Sequence, residues 1–269
     1  MSISVIIPTY NSMKTFQRCL ESAKRQSSNC KEIIVVDRFS QDGLASFARA
    51  NGATVIQSNA NRSMARNIGL QSASSRGVLF VDADMILPTT LIEECERGLN
   101  EYDAIIIPEE SMGVGFWAEC KAAERTMHIG DEMMEAARCF RRGTLVSLGG
   151  YRATLESGED WDLHNRVTTS LLTVGRTKSV IMHDEGHLSL SLLLKKKYRY
   201  GKSFGRYLRV NPSVGLTQIN PLRRIVQPSL KAFVSKPKYG VGILTMTSLE
   251  FAAAGLGHLV GGRSSSSLA

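Results

Sequence analysis

The first 110 residues alternate between short apolar runs and stretches in which apolar residues recur at helical spacing. Short, continuously apolar runs are typical of strands buried on both faces, and the longer amphipathic stretches are typical of helices. Predicted strands cover residues 3–7, 32–37, 53–57, 77–82 and 104–107, and predicted helices cover residues 13–26, 42–50, 63–73 and 88–99. Farther along the chain, one or two helices are predicted within residues 117–137. The pattern therefore predicts an α/β fold with a mostly parallel sheet that is covered by helices on both faces.

Polar residues follow three of these strands, at the edge where parallel sheets bind their ligands. Residues 8–11 (Pro-Thr-Tyr-Asn) follow the first strand, Asp37 ends the second, and Asp82-Ala83-Asp84 ends the fourth. Alternate residues of a strand share a face, so the carboxylates of Asp82 and Asp84 are expected to point at one centre. Two such donors suit a divalent cation that keeps positions open for phosphate, and a solvated turn is the alternative interpretation. The sequence has no GxGxxG or P-loop motif, which argues against a dinucleotide or P-loop site.

The net charge of +8 hides a strong asymmetry along the chain. Residues 1–185 contain 20 Lys and Arg against 24 Asp and Glu, whereas residues 186–269 contain 13 Lys and Arg against one acid, Glu250. A segment this basic favours a polyanion, which the charge alone leaves open among lipid headgroups, a phosphorylated substrate and nucleic acid. No nucleic-acid-binding motif is recognisable, so a nucleic acid partner is not expected.

Two apolar stretches lie inside the basic segment. Residues 188–194 are leucine-rich and lead into three consecutive lysines, 195–197, as in a helix that lies in a membrane interface. Residues 241–260 are long enough to span a bilayer, but Glu250 and several Ser and Thr make a span costly. We therefore favour a monotopic or re-entrant helix over a spanning one, with a helix packed on the rest of the protein as the alternative.

The compartment is predicted from the cysteines and from the first residues. Five scattered cysteines without a CxxC pair argue against a zinc site or a disulfide framework. The first residues lack the basic start and length of a signal peptide. These features predict a cytoplasmic protein, peripheral or monotopic at the inner face of the cell membrane.

Taken in order, five short motifs resemble those of family 2 glycosyltransferases with the GT-A fold. They are VIIPTYN at 5–11, IVVD at 34–37, SQDG at 40–43, ARNIGL at 65–70 and VDAD at 81–84. The resemblance implies a Rossmann-like GT-A sheet flanked by helices, followed here by a basic, helical C-terminal extension. It also implies a UDP- or GDP-linked sugar as the donor and Mg²⁺ or Mn²⁺ as the cofactor.

The resemblance assigns roles to the matching residues. Thr9, Tyr10 and Asp37 would hold the nucleoside, and Arg66 would lie beside the donor, where its planar guanidinium suits a base edge or a phosphate. Asp82 and Asp84 would orient the metal against the diphosphate. The full set of predicted nucleotide-sugar ligands is Pro8, Thr9, Tyr10, Asn11, Asp37, Arg66, Asp82, Ala83, Asp84 and Arg199.

A second acidic motif, Glu159-Asp160, resembles the acceptor-side motif of the same family at the start of a helix. Direct displacement at an anomeric carbon needs a general base for the acceptor hydroxyl. Asp160 is the predicted base and Glu159 the second candidate. An acidic first turn of a helix, which the helix dipole favours in any protein, is the alternative interpretation.

Two further residues have weaker signals. His183 follows a strand-like run and would reach the metal or the diphosphate as some GT-A enzymes do, with a structural histidine as an equal alternative. Arg199 lies 39 residues after Asp160, a spacing that resembles the QxxRW element of processive members of the family. The Gln and Trp of that element are absent, so processive polymer synthesis is not expected, but a cation here would still suit a leaving diphosphate.

We expect three regions: residues 1–110 as the nucleotide-sugar-binding half of a GT-A domain, 111–187 as its acceptor-side half, and 188–269 as a basic, membrane-interacting extension. The predicted function is an inverting, metal-dependent transfer of a sugar to a polyprenyl phosphate, glycolipid or lipid-linked glycan. One alternative is a nucleotidylyltransferase, which the missing glycine-rich N-terminal loop disfavours. The other is a non-enzymatic protein that binds membranes or nucleic acid.

Overall fold

The computed structural model describes residues 1–235 and 237–265, with side chains described up to Gly261. Two compact units divide the chain. Unit one comprises Met1–Glu109, Ala136–Ala153 and Asp160–Asp184, and unit two comprises Glu110–Glu135, Thr154–Glu159 and Glu185–Ala269. In chain order the elements are β1 (Ile3–Thr9), α1 (Met13–Lys24), β2 (Glu32–Asp37), α2 (Leu44–Ala50), β3 (Thr54–Gln57), α3 (Arg62–Ser72), β4 (Gly77–Phe80), β5 (Met85–Ile86), α4 (Leu91–Glu101), β6 (Ala104–Ile106), β7 (Glu109–Val114), α5 (Phe116–Thr126), β8 (Ala137–Arg141), α6 (Arg142–Ser147), α7 (Glu159–Thr169), β9 (Val174–Arg176), β10 (Ile181–His187), α8 (Leu190–Val210), α9 (Pro212–Gln218), a π-helical turn (Leu222–Val226), α10 (Gln227–Ser235) and α11 (Pro237–Ser265).

Unit one is built on a seven-stranded sheet with the order β3-β2-β1-β4-β8-β6-β9. Strands β1 to β4 pair in parallel, as do β6 and β9, and only β8 runs antiparallel to its neighbours β4 and β6. The prediction of an α/β fold with a mostly parallel sheet is thus confirmed. Strand order reverses at β1, which lies between β2 and β4, so the carboxyl ends of β1 and β4 border the crevice where such sheets bind ligands.

The sheet buries both of its faces. Along β1 the side chains alternate: Val5 and Ile7 belong to one apolar cluster with Phe16 of α1, whereas Ile6 belongs to a second cluster with Leu70 of α3. Each of these side chains is essentially inaccessible to water, and burying one such aliphatic side chain contributes about 1.5–3 kcal/mol. Continuous apolar runs in the sequence therefore reflect helices on both sides of the sheet.

Helix α3 lies unusually close to β1. A methyl group at Gly69 would come within 2.3 Å of Ile6 Cγ2, so a larger residue would push the helix away from the strand. This contact fixes the height of α3 over the crevice. It also fixes the position of Arg66, which is one helical turn before Gly69 on the same helix.

One predicted helical region is partly wrong. We expected one or two helices between residues 117 and 137, but α5 ends at Thr126 and turns follow. Residues Ala137–Arg141 then form β8, which is inserted between β4 and β6 in the middle of the sheet. Two further details differ: β1 continues through Pro8 to Thr9, and β4 ends at Phe80, before the aspartates.

Unit two is mostly helical and has a small apolar core. Its buried side chains come from α5, α8, α10 and α11 and include Cys120, Leu193, Ala232, Ile243 and Met246. The end of α8 is held by a hydrogen bond from the Tyr207 hydroxyl to Gln218 Oε1 at 2.5 Å. A core this small leaves a large part of the helical surface exposed.

Candidate active site

Asp37 ends β2 inside a complete set of hydrogen-bond donors. Its side chain is fully buried and accepts hydrogen bonds from Thr9 Oγ1 at 3.0 Å and from the Ser40 hydroxyl and backbone N–H at 2.5 and 3.0 Å. The Gln57 amide adds a longer contact of 3.5 Å. These donors occupy the lone pairs of the carboxylate, so Asp37 holds the ends of β1 and β2 together in this structure. Direct contact with a nucleoside requires one of them, such as the distant Gln57 amide, to give way.

The loops after β1 and β2 are joined to each other through Asn11. Its backbone N–H donates to Ser40 Oγ at 2.8 Å, and its side-chain oxygen accepts from the Gln41 N–H at 2.9 Å. Asn11 takes up a left-handed conformation (φ 46°), which asparagine tolerates better than most residues. The reciprocal bonds fix both loops at the mouth of the crevice.

Two aromatic rings stand exposed on these loops. Tyr10 is 59% exposed with the Arg38 guanidinium 5.6 Å from its ring centre, and Phe39 is 50% exposed. Phe39 was not among the predicted site residues, and it has φ of 52°, an uncommon conformation for a bulky side chain. Its signal in the sequence was an aromatic residue in a polar turn after a buried strand. Exposed rings of this kind can stack on a flat ligand.

Arg66 joins two of the predicted acids. Its side chain is fully buried, with Nη2 2.8 Å from Asp82 Oδ1 and Nη1 2.6 Å from Asp160 Oδ1. The guanidinium also lies over the Tyr151 ring, 4.9 Å from its centre. A planar guanidinium can form two such bonds at once, which lysine cannot do. Three predicted residues from α3, the end of β4 and the start of α7 therefore meet at one point.

Arg138 of β8 holds the other side of Asp82. Its Nη2 lies 3.5 Å from Asp82 Oδ2, and its Nε forms a short ion pair with Glu109. Burial raises the pKa of Asp82, but Arg66 and Arg138 outweigh this effect and hold it well below its usual range. Neither Arg138 nor Glu109 was among the predicted site residues, because no strand was predicted at residues 137–141, where β8 places Arg138.

His183 lies within β10, next to Asp84. Its Nδ1 is 3.5 Å from Asp84 Oδ1 and its Nε2 is 3.7 Å from Glu109 Oε2. The imidazole is 8% exposed, and Nδ1 is buried without a hydrogen bond to any part of the chain that the structure describes. The Asp84 side chain is 37% exposed. A buried ring nitrogen facing a solvent-accessible carboxylate is a suitable pair of ligands for a divalent cation.

Asp82 and Asp84 were expected to share one face of a strand, but β4 ends at Phe80, before both of them. Both lie in a turn, in which the Met85 N–H donates to the Asp82 carbonyl at 3.0 Å, and their carboxylates contact different residues. Among the residues described, no group of three or more His, Cys, Asp or Glu side chains is close enough to hold a metal. Contacts between side chains instead link acidic and basic residues in alternation, in the order Asp160, Arg66, Asp82, Arg138, Glu109, His183 and Asp84.

The two acids at the start of α7 differ in exposure. Asp160 keeps 25% of its side chain exposed, whereas Glu159 is 2% exposed and belongs to unit two. Only Asp160 is thus both joined to Arg66 and accessible from outside. Of the remaining predicted residues, Pro8 is part of β1, Ala83 is buried in the turn, and Arg199 is exposed on α8 of unit two.

Known proteins are similar to this chain in sequence. Residues 4–134 match the family model described as Glycosyl transferase family 2. An uncharacterized glycosyltransferase of Escherichia coli, YibD, is 36% identical over 97 residues, which are 34% of this chain and 28% of that protein. The first three curated relatives are matched over 28%, 16% and 37% of their own lengths, so the chain covers well under half of each.

Solved structures share the fold over nearly the whole chain. A mannosyltransferase from Pyrobaculum calidifontis, solved with GDP-Man and Mn²⁺, has a TM-score of 0.65 at 17% identity and is matched over 96% of this chain and 86% of its own. S. aureus TarS 1-349 with UDP-GlcNAc has a TM-score of 0.53 at 16% identity, over 97% and 89% of the two chains. At these identities the likeness establishes the fold, which is GT-A.

Proposed function

We propose that this chain, whose residues 4–134 match the family 2 glycosyltransferase model, transfers a sugar from a nucleotide-diphosphate donor to a membrane-associated acceptor with inversion at the anomeric carbon. The observation that carries the proposal is the Arg66 fork, which brings Asp82 and Asp160 together from distant parts of the chain. A structural ion pair needs one acid, whereas a transferase needs acids on both the donor and the acceptor sides of one crevice.

The donor nucleotide would bind at the carboxyl ends of β1 and β2. Tyr10 and Phe39 supply exposed rings for the base, and Thr9, Asn11 and Asp37 hold the loops that carry them. Two similar folds were solved with GDP-Man and UDP-GlcNAc, which supports a UDP- or GDP-linked sugar here. Arg66 and Arg138 place two guanidinium groups beside the position proposed for the diphosphate, where they would offset its charge.

Asp160 is the proposed general base. In a single displacement the acceptor oxygen bonds to the anomeric carbon while the bond from that carbon to the diphosphate breaks. Asp160 takes the proton of the acceptor hydroxyl, and the nucleoside diphosphate leaves on the opposite side. Arg66 Nη1 holds the Asp160 carboxylate in place at 2.6 Å, and the exposed part of the carboxylate gives the acceptor access.

The residues present fit a divalent cation at Asp84 and His183. The evidence is the buried Nδ1 of His183, which has no hydrogen bond from any described residue and lies 3.5 Å from the accessible carboxylate of Asp84. Asp82 is less suited to direct ligation, because each of its carboxylate oxygens already contacts an arginine. When bound, the cation would neutralise charge on the departing diphosphate. The Mn²⁺ in the mannosyltransferase structure supports this assignment.

The proposed acceptor is a polyprenyl phosphate, a glycolipid or a lipid-linked glycan. The support for a membrane-associated acceptor is the basic last third of the chain and its one long apolar helix. The same features support a place at the inner face of the cell membrane.

The first test is nucleotide binding, measured as thermal stabilisation. UDP and GDP are compared, each with and without Mn²⁺, because a ligand that binds the folded state raises the unfolding temperature. We expect one nucleotide to stabilise the protein and Mn²⁺ to increase the effect. Stabilisation by neither nucleotide would contradict the proposal.

A further inference from the structure

Helix α11 is apolar on nearly all sides. Between residues 239 and 261 it carries one carboxylate, Glu250, and no lysine or arginine. Among the described helices it is the one that is long and apolar enough to cross a membrane. A helix that is apolar all round is normally buried, yet only 28% of its most apolar segment is buried inside the protein.

The one acid of α11 faces inward. Glu250 is 5% exposed and lies 3.3 Å from Lys197 Nζ and 3.6 Å from Lys121 Nζ, both within unit two. Lys121 also pairs with Glu124 at 3.0 Å. The polar position that makes a membrane span costly is therefore neutralised by α5 and α8. Between residues 239 and 261, α11 therefore exposes no carboxylate, lysine or arginine.

Helices α8 and α11 are in backbone contact. A methyl group at Gly201 would lie 2.0 Å from the Ala254 carbonyl oxygen, and one at Gly257 would lie 2.1 Å from the Tyr198 carbonyl oxygen. At Gly261 the corresponding distance to the Lys202 carbonyl oxygen is 2.4 Å. These close contacts fix which side of α11 faces inward. They also bind α11 to a helix with many cations, which could not enter a bilayer core at low cost.

The outer side of α11 continues onto α10. The two helices pack closely, since a methyl group at Gly240 would lie 2.6 Å from Phe233 Cδ1. Exposed apolar side chains cover both, with exposures of 88% at Val234, 61% at Leu256 and 65% at Leu259. The outer apolar face, as we define it, consists of Leu230, Phe233, Val234, Val241, Leu244, Leu249, Phe251, Leu256, Leu259 and Val260. A contiguous exposed apolar patch of this size is typical of a surface that binds a partner or a membrane.

The charges around this face favour an anionic partner. Residues 186–269 contain 13 cations against one acid, Glu250, which is buried. Lys231 and Lys238 lie on α10 and α11, and Lys238 also lies 3.7 Å from Glu119 of α5. A second copy of the chain would bring together two strongly basic surfaces, which repel. An anionic bilayer instead offers hydrocarbon to the apolar face and phosphate to the lysines.

We propose that the outer apolar face docks in the interface of an anionic phospholipid bilayer, with α11 lying on the membrane and not spanning it. The bilayer is thus the membrane partner in the proposed function, and only the biological purpose of the docking rests on that function. Vesicle binding itself requires no sugar transfer.

The test compares binding of the full chain to phosphatidylcholine vesicles with and without phosphatidylglycerol, by co-sedimentation. We expect binding to the anionic vesicles that falls with added salt. The double variant Leu256→Ser/Leu259→Ser should bind at least about tenfold more weakly, because two exposed side chains lose their burial in lipid. Lys238→Gln should lower binding about fivefold on anionic vesicles and leave binding to neutral ones unchanged.

The matched control is Val146→Ser/Leu171→Ser, which removes two exposed apolar side chains from unit one and should bind as the wild type does. Absence of binding to anionic vesicles would overturn the proposal, as would equal binding by the α11 variant. A concentration-dependent dimer that the α11 variant abolishes would instead identify a second copy as the occupant. Thermal stabilisation by UDP or GDP separates the two proposals. If neither nucleotide stabilises the protein but the vesicles still bind it, only the transferase function is contradicted.

Discussion

Arg66 Nη1 lies 2.6 Å from Asp160 Oδ1, although the two residues are 94 positions apart in the chain. Arg66 is on α3, which Gly69 holds close to β1, and Asp160 is in the first turn of α7. The same guanidinium reaches Asp82 at the end of β4. Because the arginine is fully buried, removing it would leave both acids without the cation that they share.

Replacing Arg66 should destabilise the protein strongly. Arg66→Met leaves Asp82 and Asp160 without this cation, and breaking a buried ion pair on one side costs about 3–5 kcal/mol. Arg66→Lys should lose less, because it keeps the charge but cannot reach both acids. The free energy of unfolding in urea measures the effect. Arg25→Met, which removes an exposed partner of Glu21, should change it by less than about 1 kcal/mol. Equal losses in the two methionine variants would contradict this account.

The metal assignment predicts a specific loss of Mn²⁺ binding. His183→Ala and Asp84→Asn should each weaken Mn²⁺ binding in the presence of the stabilising nucleotide by about tenfold or more, since each removes one of two ligands. Isothermal titration calorimetry measures the affinity. His187→Ala is the matched control, because His187 lies on the same strand but is exposed. If His187→Ala weakens binding as much as His183→Ala, the site has been assigned to the wrong histidine.

Phe39→Gly should raise stability and lower nucleotide affinity together. Phe39 has φ of 52°, where a side chain costs about 1–2 kcal/mol and glycine does not. The same change removes an exposed ring proposed to stack on the base, a contribution of about 1 kcal/mol or several-fold in affinity. Thermal unfolding and nucleotide titration check the two effects separately. Unchanged affinity would show that the ring has no part in nucleotide binding.

The buried charges of unit two predict a pH-dependent defect. Burial raises the pKa of Glu124, but Lys121 and His128 outweigh this and hold it well below 4.5. Such a carboxylate stabilises the fold fully above pH 4.5, and the contribution is lost only as the pH falls through the lowered pKa. In Lys121→Met the pKa of Glu124 should rise. The loss of unfolding free energy should then be largest near neutral pH and smaller at about pH 5, where protonation of the carboxylate is easier.

Urea unfolding at the two pH values measures this difference. Lys31→Met, which removes an exposed lysine, is the control and should show little loss at either pH. If the loss of unfolding free energy in Lys121→Met instead grew towards acid pH, a group other than Lys121 would be keeping the buried carboxylates ionised.

The strands and polar loops that could be predicted are those with local signals. Residues 33–36 are apolar without interruption between Glu32 and Asp37, and β2 has the predicted limits, 32–37. The match of residues 4–134 to the family 2 glycosyltransferase model and the GT-A fold were likewise predictable, because five motifs occur in order along the chain. These features depend on neighbouring residues in the chain and on few distant contacts.

The missed parts depend on distant contacts. Strand β8 contains Arg138 and Arg141 and has no continuous apolar run, so no strand was predicted there, and it forms through pairing with β4 and β6. Arg138 and Glu109 were missed with it. The turn at residues 82–85 directs Asp82 and Asp84 to different partners, although alternation along a strand predicts a common centre.

The most direct test of the central claim is the rate of sugar transfer by Asp160→Asn. UDP-GlcNAc and GDP-mannose serve as donors and a polyprenyl phosphate as acceptor, with release of the nucleoside diphosphate as the readout. We predict a rate at least about 100-fold below the wild type, with the thermal stabilisation by nucleotide retained, because a lost general base slows proton transfer without removing the donor site. Glu156→Gln, an exposed acid nearby in the chain, should keep the wild-type rate. Full transfer activity in Asp160→Asn would contradict the account.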